Sequence, residues 1–499
     1  MHAPQPVERM SPFPSALPDP NSNPEHAALR PASFDRPQIL RPEWTLLRDG
    51  IVRDHAIVVQ HGRFAAVGPA AQIAAQFPHL PTLALPRMLL MPGMIDTHHH
   101  LTQSFGKSLV FGEPSEIFRR VWVPLEGSLT ETHLYLSSKL AALEALRGGF
   151  TTVCDAGTRA DAGLEAIAQA VGEAGLRCVL SLICNDRPGG QTLDAAPIVR
   201  RAERHLAMYD DHPLVVPSLA ISIPEVASDA MLHDVYRLCE EAGRVFQTHA
   251  NEHLVAVERS LNARRQRPIE HLEAVGALGP AALLAHATLV TPHEIRLLAE
   301  RGAAVAYNPV ASAWKGNAVA PAETMATFGV RLGLGTDGTR SDGFRLLDYA
   351  EAAQRFAFGI GVGDSSCGAG WRWLDMATHD GADAAGLGKV TGEIAAGKQA
   401  DFLLVDCDVP ELTPSWDLSW ELVRLANRDQ IRGVFVDGRL RLWDGWPLDW
   451  DARALMAEIR QMAEQTIANA PITKLHDPAD VHRAACAASL RTAKGGAQA

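Results

Sequence analysis

The region from about Pro92 to Leu387 alternates short apolar runs with longer stretches of helical spacing. The apolar runs have the length of strands, and there are eight of them: Gly93–Thr97, Phe150–Asp155, Arg177–Ile183, Leu214–Ser222, Val245–His249, Ala282–His286, Ala303–Tyr307 and Val330–Asp337. The intervening helical stretches include Glu131–Arg147, Asp161–Gly175, Ser228–Glu241 and Pro292–Arg301. This alternation is typical of a parallel α/β protein. Eight repeats in about 300 residues predict a (β/α)8 barrel of the TIM type.

An open, doubly wound sheet is the alternative architecture, because it also alternates strands with helices. The phosphate-binding motif GxxxxGK[ST], which often accompanies such a sheet, does not occur in this chain. The pattern therefore favours the barrel.

Segments with shorter, alternating apolar and polar positions flank the barrel region on both sides. They predict one small β-sandwich domain built from residues 38–91 and 388–446, because both stretches show strand-length runs divided by Gly, Pro and Asp-Gly turns. Residues 1–37 are rich in proline and predict a flexible arm. Residues 447–499 predict a C-terminal helix over Asp451–Ala470 followed by a tail.

Composition narrows the class of protein. The 499 residues are 47% hydrophobic and 21% charged, as in globular proteins, and the net charge of −12 argues against nucleic acid as a partner. No apolar run reaches the roughly 18–20 residues that cross a membrane, and the N-terminus lacks the pattern of a signal peptide. The seven cysteines are scattered, without a CxxC pair, which favours a reducing compartment and a cytoplasmic location.

Polar residues with metal-binding side chains follow several of the predicted strands. His98 and His100 end the first run and share one face of an extended chain. His249 ends the fifth run, His286 the sixth and Asp337 the eighth. Because the C-terminal ends of barrel strands meet at one mouth, these groups predict a single metal site suited to zinc or ferrous iron. We expect His99, His253 and His271 to be supporting or surface groups.

The motifs MPGMIDTHHHLTQ, THANE, LAHATLV and GLGTDG occur in this order, followed by MATHDGADAAGLGKVTGEIAAGKQADFLLVD. Together they resemble the amidohydrolase superfamily, and within it the cytosine deaminase-like branch of triazine hydrolases, 8-oxoguanine deaminase and methylthioadenosine/S-adenosylhomocysteine deaminases. The similarity covers about Gln38 to Trp446. It implies one divalent ion, with zinc expected and Fe²⁺ as the alternative. The implied ligands are His98, His100, His249 and Asp337, and the implied catalytic residues are Glu252, His286 and Asp337.

The resemblance also indicates residues around the substrate. The stretch Phe118–Glu126 is similar to one that covers the barrel mouth in these enzymes, where a glutamate matching Glu126 contacts ribose hydroxyls. The expected substrate-binding residues are Gln103, Trp122, Glu126 and Trp314. The loop Tyr307–Gly316 departs from the branch at Tyr307, Ala311 and Ser312, which leaves the substrate open. Arg340 and Arg345 could bind an anion, but we expect them to pair with Asp342 and Asp348.

The predicted function is metal-dependent deamination of a nitrogen heterocycle of purine, pterin, pyrimidine or triazine type, with a small-molecule substrate. Hydrolysis of another C–N bond, as in an amide, urea or N-alkylamine, or of a halide, is the alternative because the same site could act on either. A non-enzymatic scaffold is disfavoured because the whole ligand set is present. The resemblance further implies a homo-oligomer, most simply a homodimer.

Overall fold

A computed structural model describes residues 29–113, 116–363 and 366–496. Most of the predicted N-terminal arm, residues 1–28, lies outside the described residues. Within the described part of the chain, no helix is long and apolar enough to cross a membrane.

The described strands form two sheets, and we number them in chain order. The strands are β1 Ile39–Leu47, β2 Gly50–Arg53, β3 His55–Gln60, β4 Arg63–Pro69, β5 Thr82–Pro92, β6 Met94–His99, β7 Phe150–Asp155, β8 Arg177–Ile183, β9 Val215–Ile221, β10 Phe246–Ala250, β11 Ala282–His286, β12 Ala304–Tyr307, β13 Arg331–Leu334, β14 Phe402–Asp406, β15 Ile431–Val436, β16 Arg439–Trp443 and β17 Trp446–Pro447.

Strands β6 to β13 form the eight-stranded parallel sheet of the barrel, each paired with the next along the chain. The seam between β13 and β6 is closed by side chains and loop backbone. Thr336 donates to Asp96 from its backbone nitrogen (2.9 Å) and its hydroxyl (2.5 Å), and Thr97 Oγ1 donates to the Leu334 carbonyl (2.9 Å). A Cβ atom on Gly333 would lie 2.3 Å from Thr97 Cγ2, so this close approach requires glycine.

The remaining nine strands form a second sheet, in the order β17-β16-β15-β14-β5-β1-β3-β4 with β2 beside β1. Its N-terminal and C-terminal parts join where β14 pairs antiparallel with β5. The core contains the stacked rings of Phe402 and Phe435, whose centroids are 4.2 Å apart, and Phe34 packs edge-on against Phe435. Together the two sheets confirm the predicted fold class, a TIM-type barrel with a smaller β domain.

A buried ion pair connects the barrel to the second sheet. Arg177, on β8, donates to both carboxylate oxygens of Asp401 at 2.8 and 3.1 Å, and Thr391 donates to the same carboxylate. Both members of the ion pair are almost fully buried. Because a buried charge without its partner is costly, this pair fixes the two sheets to one another.

The helices, numbered in chain order, connect and flank the strands. They are α1 Ala70–Gln76, α2 Val123–Glu126, α3 Glu131–Arg147, α4 Glu165–Ala174, α5 Ala195–Met208, α6 Asp229–Glu241, α7 Leu254–Arg264, α8 Pro268–Ala274, α9 Pro292–Arg301, α10 Pro309–Lys315, α11 Ala322–Thr327, α12 Gly343–Val362, α13 Ala369–Ala377, α14 His379–Ala384, α15 Leu418–Arg424, α16 Ala452–Asn469 and α17 Ala479–Gly496. Leu455 and Ile459 of α16 pack against Leu136 of α3. Where the sequence predicted a tail, α17 is present.

Candidate metal centre and active site

Four strand ends bring histidines and an aspartate together at the mouth of the barrel. His98 belongs to β6 and His100 follows it, His249 belongs to β10, and His286 ends β11. Asp337 follows β13 by three residues. Within this group one side-chain atom each of His98, His249, His286 and Asp337 lies within 4.8 Å of the others, a cluster that could hold a metal ion.

Three distances in this cluster fit a tetrahedral metal ion. Asp337 Oδ1 lies 3.3 Å from both His98 Nε2 and His100 Nε2, and His249 Nε2 lies 3.3 Å from His100 Nε2. Bonds of about 2.0–2.1 Å in a tetrahedral site place neighbouring ligand atoms about 3.3 Å apart. Three of the six distances among the ligand atoms of these four residues therefore match the spacing in a zinc site.

Hydrogen bonds on the far side of the rings distinguish His249 from His286. His249 Nδ1 lies 2.7 Å from the Ser222 carbonyl, to which it can only donate, so a neutral ring presents the lone pair of Nε2 to the centre. Asn308 Nδ2 lies 3.2 Å from His286 Nδ1 and donates to it, which leaves the proton on Nε2 of His286. His249 is thus set up as a ligand, and His286 as a hydrogen-bond donor.

Burial supports the neutral state of these rings. It is the main cause that lowers the pKa of His98 and His249, and it lowers the pKa of His286 to about 3. A neutral imidazole is the form that binds metal ions. His286 Nε2 is buried without a hydrogen-bond partner among the described residues, and Glu252 Oε2 lies 3.8 Å from it. This unsatisfied donor indicates that a ligand or water belongs beside it.

The backbone is strained where the site residues leave their strands. His286, Asp337 and Asn251 have φ angles of 77°, 57° and 52°, in the left-handed region that residues with a Cβ rarely adopt. Such conformations cost on the order of 1–3 kcal/mol each and cluster at functional sites. Here they turn the chain sharply at the barrel mouth, which is where the site residues project.

Glu252 and Lys315 form an ion pair beside the cluster. Lys315 Nζ lies 2.8 Å from Glu252 Oε1 and 2.5 Å from Asp337 Oδ2. Burial alone would raise the pKa of Glu252, but the Lys315 ammonium group in contact with its carboxylate outweighs burial and holds that pKa well below its usual range. Glu252 is accordingly ionised.

An open cavity of about 1350 Å³, counting the space at its mouth, lies over this cluster. His100, His249, Glu252, Lys315 and Asp337 are part of its floor. The aromatic part of the wall consists of Phe111, Phe118, Trp122 and Trp314, and the rings of Phe111 and Trp314 meet edge to face at 4.9 Å. A mostly apolar lining with a smaller number of polar groups is typical of small-molecule sites.

Three of the four residues expected to bind substrate, Gln103, Trp122 and Trp314, line this cavity, whereas Glu126 lies behind the wall. The Glu126 carboxylate is fully buried and accepts hydrogen bonds from Arg159 (2.6 Å), Gln103 (3.1 Å) and Thr102 (3.3 Å). Arg159 and Gln103 do line the cavity. In this geometry Glu126 positions those two side chains, and its direct contact with a substrate stays a prediction.

Comparison with known proteins places the chain among enzymes of one family. The model of the amidohydrolase family matches residues 89–441, and an imidazolonepropionase-like composite domain of bacteria matches residues 56–79. The chain belongs to the amidohydrolase family. It is 29% identical over 413 residues to a 5-methylthioadenosine/S-adenosylhomocysteine deaminase of Syntrophobacter fumaroxidans, covering 82% of this chain and 92% of the relative. A 5'-deoxyadenosine deaminase of Methanosarcina mazei is 28% identical over 453 residues, covering 86% and 98%.

Solved structures of other enzymes have a similar fold. An adenosine deaminase from Xanthomonas campestris with bound zinc has a TM-score of 0.79 and 26% identity to this amidohydrolase, covering 86% of this chain and 98% of that one. Atrazine chlorohydrolase from Arthrobacter aurescens, complexed with zinc, has a TM-score of 0.76 and 19% identity, covering 85% and 99%. The second likeness, at this identity, is one of fold.

Three further histidines and two arginines of this amidohydrolase were predicted to lie outside the set of metal ligands. His99 Nε2 lies 3.2 Å from Ser341 Oγ, and His271 Nε2 lies 2.9 Å from Asp229 Oδ1, so both are held by protein groups. His253 lines the cavity. Arg340 lies 3.4 Å from Asp342 Oδ2, and neither it nor Arg345 lines the cavity.

The C-terminal segment braces the loop that forms one wall of the cavity. Two hydrogen bonds join Thr473 to Arg120. The Thr473 backbone nitrogen donates to the Arg120 carbonyl, and the Arg120 guanidinium donates to the Thr473 carbonyl. The backbone nitrogens of Leu475 and His476 donate to the Glu113 carboxylate at 3.0 and 3.3 Å. Glu113 lines the cavity, so the segment after α16 holds part of its wall.

Sequence reasoning assigned no role to several cavity residues, namely Lys315, Arg119, Arg159, Arg259, Glu113 and Glu225. All lie in connections or short helices that follow strands, where sequence pattern does not fix the direction of a side chain. The position of Lys315 within the divergent loop Tyr307–Gly316 was the available signal, because that loop joins β12 to the site.

Proposed function

We propose that this amidohydrolase is a metal-dependent hydrolase that removes an amino group from a nitrogen heterocycle and releases ammonia. The observation that carries the proposal is the set of 3.3 Å distances that link His98, His100, His249 and Asp337, with Glu252 lining the cavity beside them. The relatives named as deaminases of methylthioadenosine, S-adenosylhomocysteine and 5'-deoxyadenosine support the reaction class.

Zinc is the proposed ion, held by those three histidines and Asp337, and Fe²⁺ is the alternative. When bound, such an ion lowers the pKa of water toward about 7 and so makes hydroxide available at neutral pH. The zinc reported in the structure of the adenosine deaminase of Xanthomonas campestris supports this assignment.

The side chains divide the remaining work between them. Glu252 accepts one proton of the attacking water and transfers it to a ring nitrogen of the substrate, which makes the adjacent amino-bearing carbon a better electrophile. His286 donates a hydrogen bond from Nε2 to the oxygen that adds to that carbon. Asp337 takes the other proton of that water and passes it to the amino group, which departs as ammonia. The aromatic walls, with Trp122 and Trp314, hold the ring in place and exclude bulk water.

We also propose a domain organisation, an oligomeric state and a cellular location for the protein. Residues 92–387 form the barrel domain, residues 38–91 with 388–446 form the smaller domain, and the protein works as a homodimer. A cytoplasmic location is supported by free thiols such as Cys154, Cys178 and Cys184, which are buried and unbridged.

Ammonia release from aminopurines, pterins, aminopyrimidines and aminotriazines would be measured with protein of known zinc content. We expect at least one substrate class to give one ammonia per turnover, and we expect activity to vanish after chelation and to return with zinc. Absence of ammonia from every class, with stoichiometric metal bound, would contradict deamination. Mass analysis of the products separates it from the alternative, because an amide, urea or halide leaving group gives a different product.

A further inference from the structure

Lys315 is a half-buried cation on the cavity floor that the proposed deamination does not use. It is the last residue of α10, and the following Gly316 ends that helix with a φ of 67°, so the start of the side chain is fixed by the fold. The side chain is 18% exposed and lines the cavity. The ammonium group therefore has both a defined position and access to a bound molecule.

The contacts of Lys315 leave one of its hydrogen-bond donors unused. An ammonium group has three N–H donors. One is directed to Glu252 Oε1 and a second to Asp337 Oδ2. Asp337 Oδ1, the oxygen spaced at 3.3 Å from the two histidines, is a different atom, so Lys315 does not compete for the metal site. No further contact of Nζ is present among the described residues, which leaves the third donor for the cavity.

We propose that Lys315 is a specificity-determining residue that donates its third hydrogen bond to a carbonyl oxygen next to the ring nitrogen facing Glu252. This inference rests on the proposed function, because Glu252 is taken to contact that nitrogen. It assigns the substrate class as amino-heterocycles with an oxo group beside the protonated nitrogen, such as 2-oxo-4-aminopyrimidines and 2-oxo-6-aminopurines.

The spacing of the two protein groups matches such a ring. A ring nitrogen and the oxygen on the adjacent carbon are separated by about 2.3 Å, from standard C–N and C=O bond lengths. Lys315 Nζ and Glu252 Oε1 are 2.8 Å apart, so the two groups can form side-by-side hydrogen bonds with that pair of atoms. A plain adenine ring has a C–H at the same position and offers no acceptor. With such a ring, Lys315 would have no hydrogen-bond acceptor on the substrate at this position.

Two substrate pairs that differ by one oxygen atom test the proposal. Isoguanosine and adenosine differ only at C2, and cytosine and 4-aminopyrimidine differ in the same way. We expect the kcat/KM of wild-type enzyme to favour the oxo member of a pair by about 10–100-fold, the effect of a buried donor left without its acceptor. Lys315→Met should reduce that ratio to near unity, mainly through slower turnover of the oxo member.

Three control measurements separate recognition from a structural role. Lys315→Arg keeps the positive charge and should retain a preference for the oxo member. Lys389→Met removes an exposed lysine outside the cavity and should leave the ratio unchanged. Zinc content and thermal unfolding, measured for each variant, show whether it folds and holds its metal. If Lys315 only neutralises Glu252 and Asp337, Lys315→Met should slow both members of a pair equally, which would overturn the proposal.

Binding of reaction products keeps the test decisive if no compound is turned over. Xanthine and hypoxanthine differ by the same oxygen and can be titrated calorimetrically into zinc-loaded wild-type, Lys315→Met and Lys315→Arg proteins. Tighter binding of xanthine that disappears in Lys315→Met would support recognition by Lys315 even though deamination had failed. Equal binding of the two products by wild-type protein, or an unchanged preference in Lys315→Met, would refute it.

Discussion

His249 Nε2 lies 3.3 Å from His100 Nε2, although 149 residues separate them in the chain. This spacing fits a shared cation, because two imidazole nitrogens that present lone pairs to one another repel unless a cation lies between them.

Replacement of His249 by alanine should abolish stoichiometric zinc, because one of four ligands is lost. Zinc content would fall from about one ion per chain to near zero, and added zinc should raise the Tm of wild-type protein but not that of the variant. His293→Ala, on the exposed surface of α9, is the matched control and should retain the ion. Full zinc content in His249→Ala would remove His249 from the ligand set.

Glu252→Gln should retain zinc and lose turnover by about 10²–10⁴-fold, the range expected when a positioned proton-transfer group is removed. The amide keeps the size of the side chain and a hydrogen-bond acceptor toward Lys315, so the effect should be on kcat rather than on folding. Single-turnover kinetics and metal analysis check this. Wild-type kcat in this variant would show that another group protonates the ring.

Glu126→Gln should weaken substrate binding and lower stability together. The change leaves Arg159, which is 12% exposed, without its anionic partner, and breaking a buried ion pair costs about 3–5 kcal/mol. Gln103 and Arg159 would also lose the acceptor that fixes them at the cavity wall. Urea unfolding measures the first effect, and KM measures the second. A raised KM with unchanged unfolding free energy would instead favour direct contact of Glu126 with the substrate.

Glu113→Ala should loosen the cavity wall without unfolding the barrel. The variant loses the acceptor for Leu475, His476 and Arg120, so the segment after α16 no longer braces the loop. We expect faster limited proteolysis after residue 470 and a KM several-fold above wild type, with metal content unchanged. Identical proteolysis rates for the two proteins would show that the segment is held by other contacts.

The stability of the protein should depend on His379 between pH 6.5 and about 9. Burial lowers the pKa of this ring, but the contacts with Asp375 (3.1 Å) and Asp380 (2.8 Å) outweigh burial and raise the pKa to about 9. A raised pKa gives stability that is complete below pH 6.5 and is lost as pH rises through 9. His379→Gln should therefore cost on the order of 1–2 kcal/mol at pH 6, reduced from the full value by solvent screening, and much less at pH 10. An unfolding difference independent of pH would contradict this.

The sequence predicted the barrel and the positions of His98, His249 and His286 because apolar runs and their polar ends define strands independently of their neighbours. The eighth strand was predicted as Val330–Asp337 and is shorter, Arg331–Leu334. After Leu334 the chain leaves the sheet, and the backbone at Asp337 is left-handed where its side chain joins the cluster with His98 and His249.

The directions of Glu126 and Lys315 could not be predicted in the same way. Both lie after strands, in short helices whose orientation depends on packing against the rest of the barrel. Glu126 lies behind the cavity wall because Arg159 and Gln103 enclose it, and these partners are far from it in sequence. The type of such a residue indicates which reactions its side chain could take part in, whereas the fold determines which groups the side chain contacts.

The pairing of β5 with β14 has a consequence for biosynthesis. The ribosome must complete the whole barrel, from β6 to α14, before β14 exists to join β5. During that interval one edge of β5 is unpaired. Its apolar residues Leu89, Leu90 and Met91 pair only later, with a strand more than 300 residues away in the sequence. Nascent chains stalled before residue 402 should therefore depend on chaperones more strongly than chains stalled after residue 443.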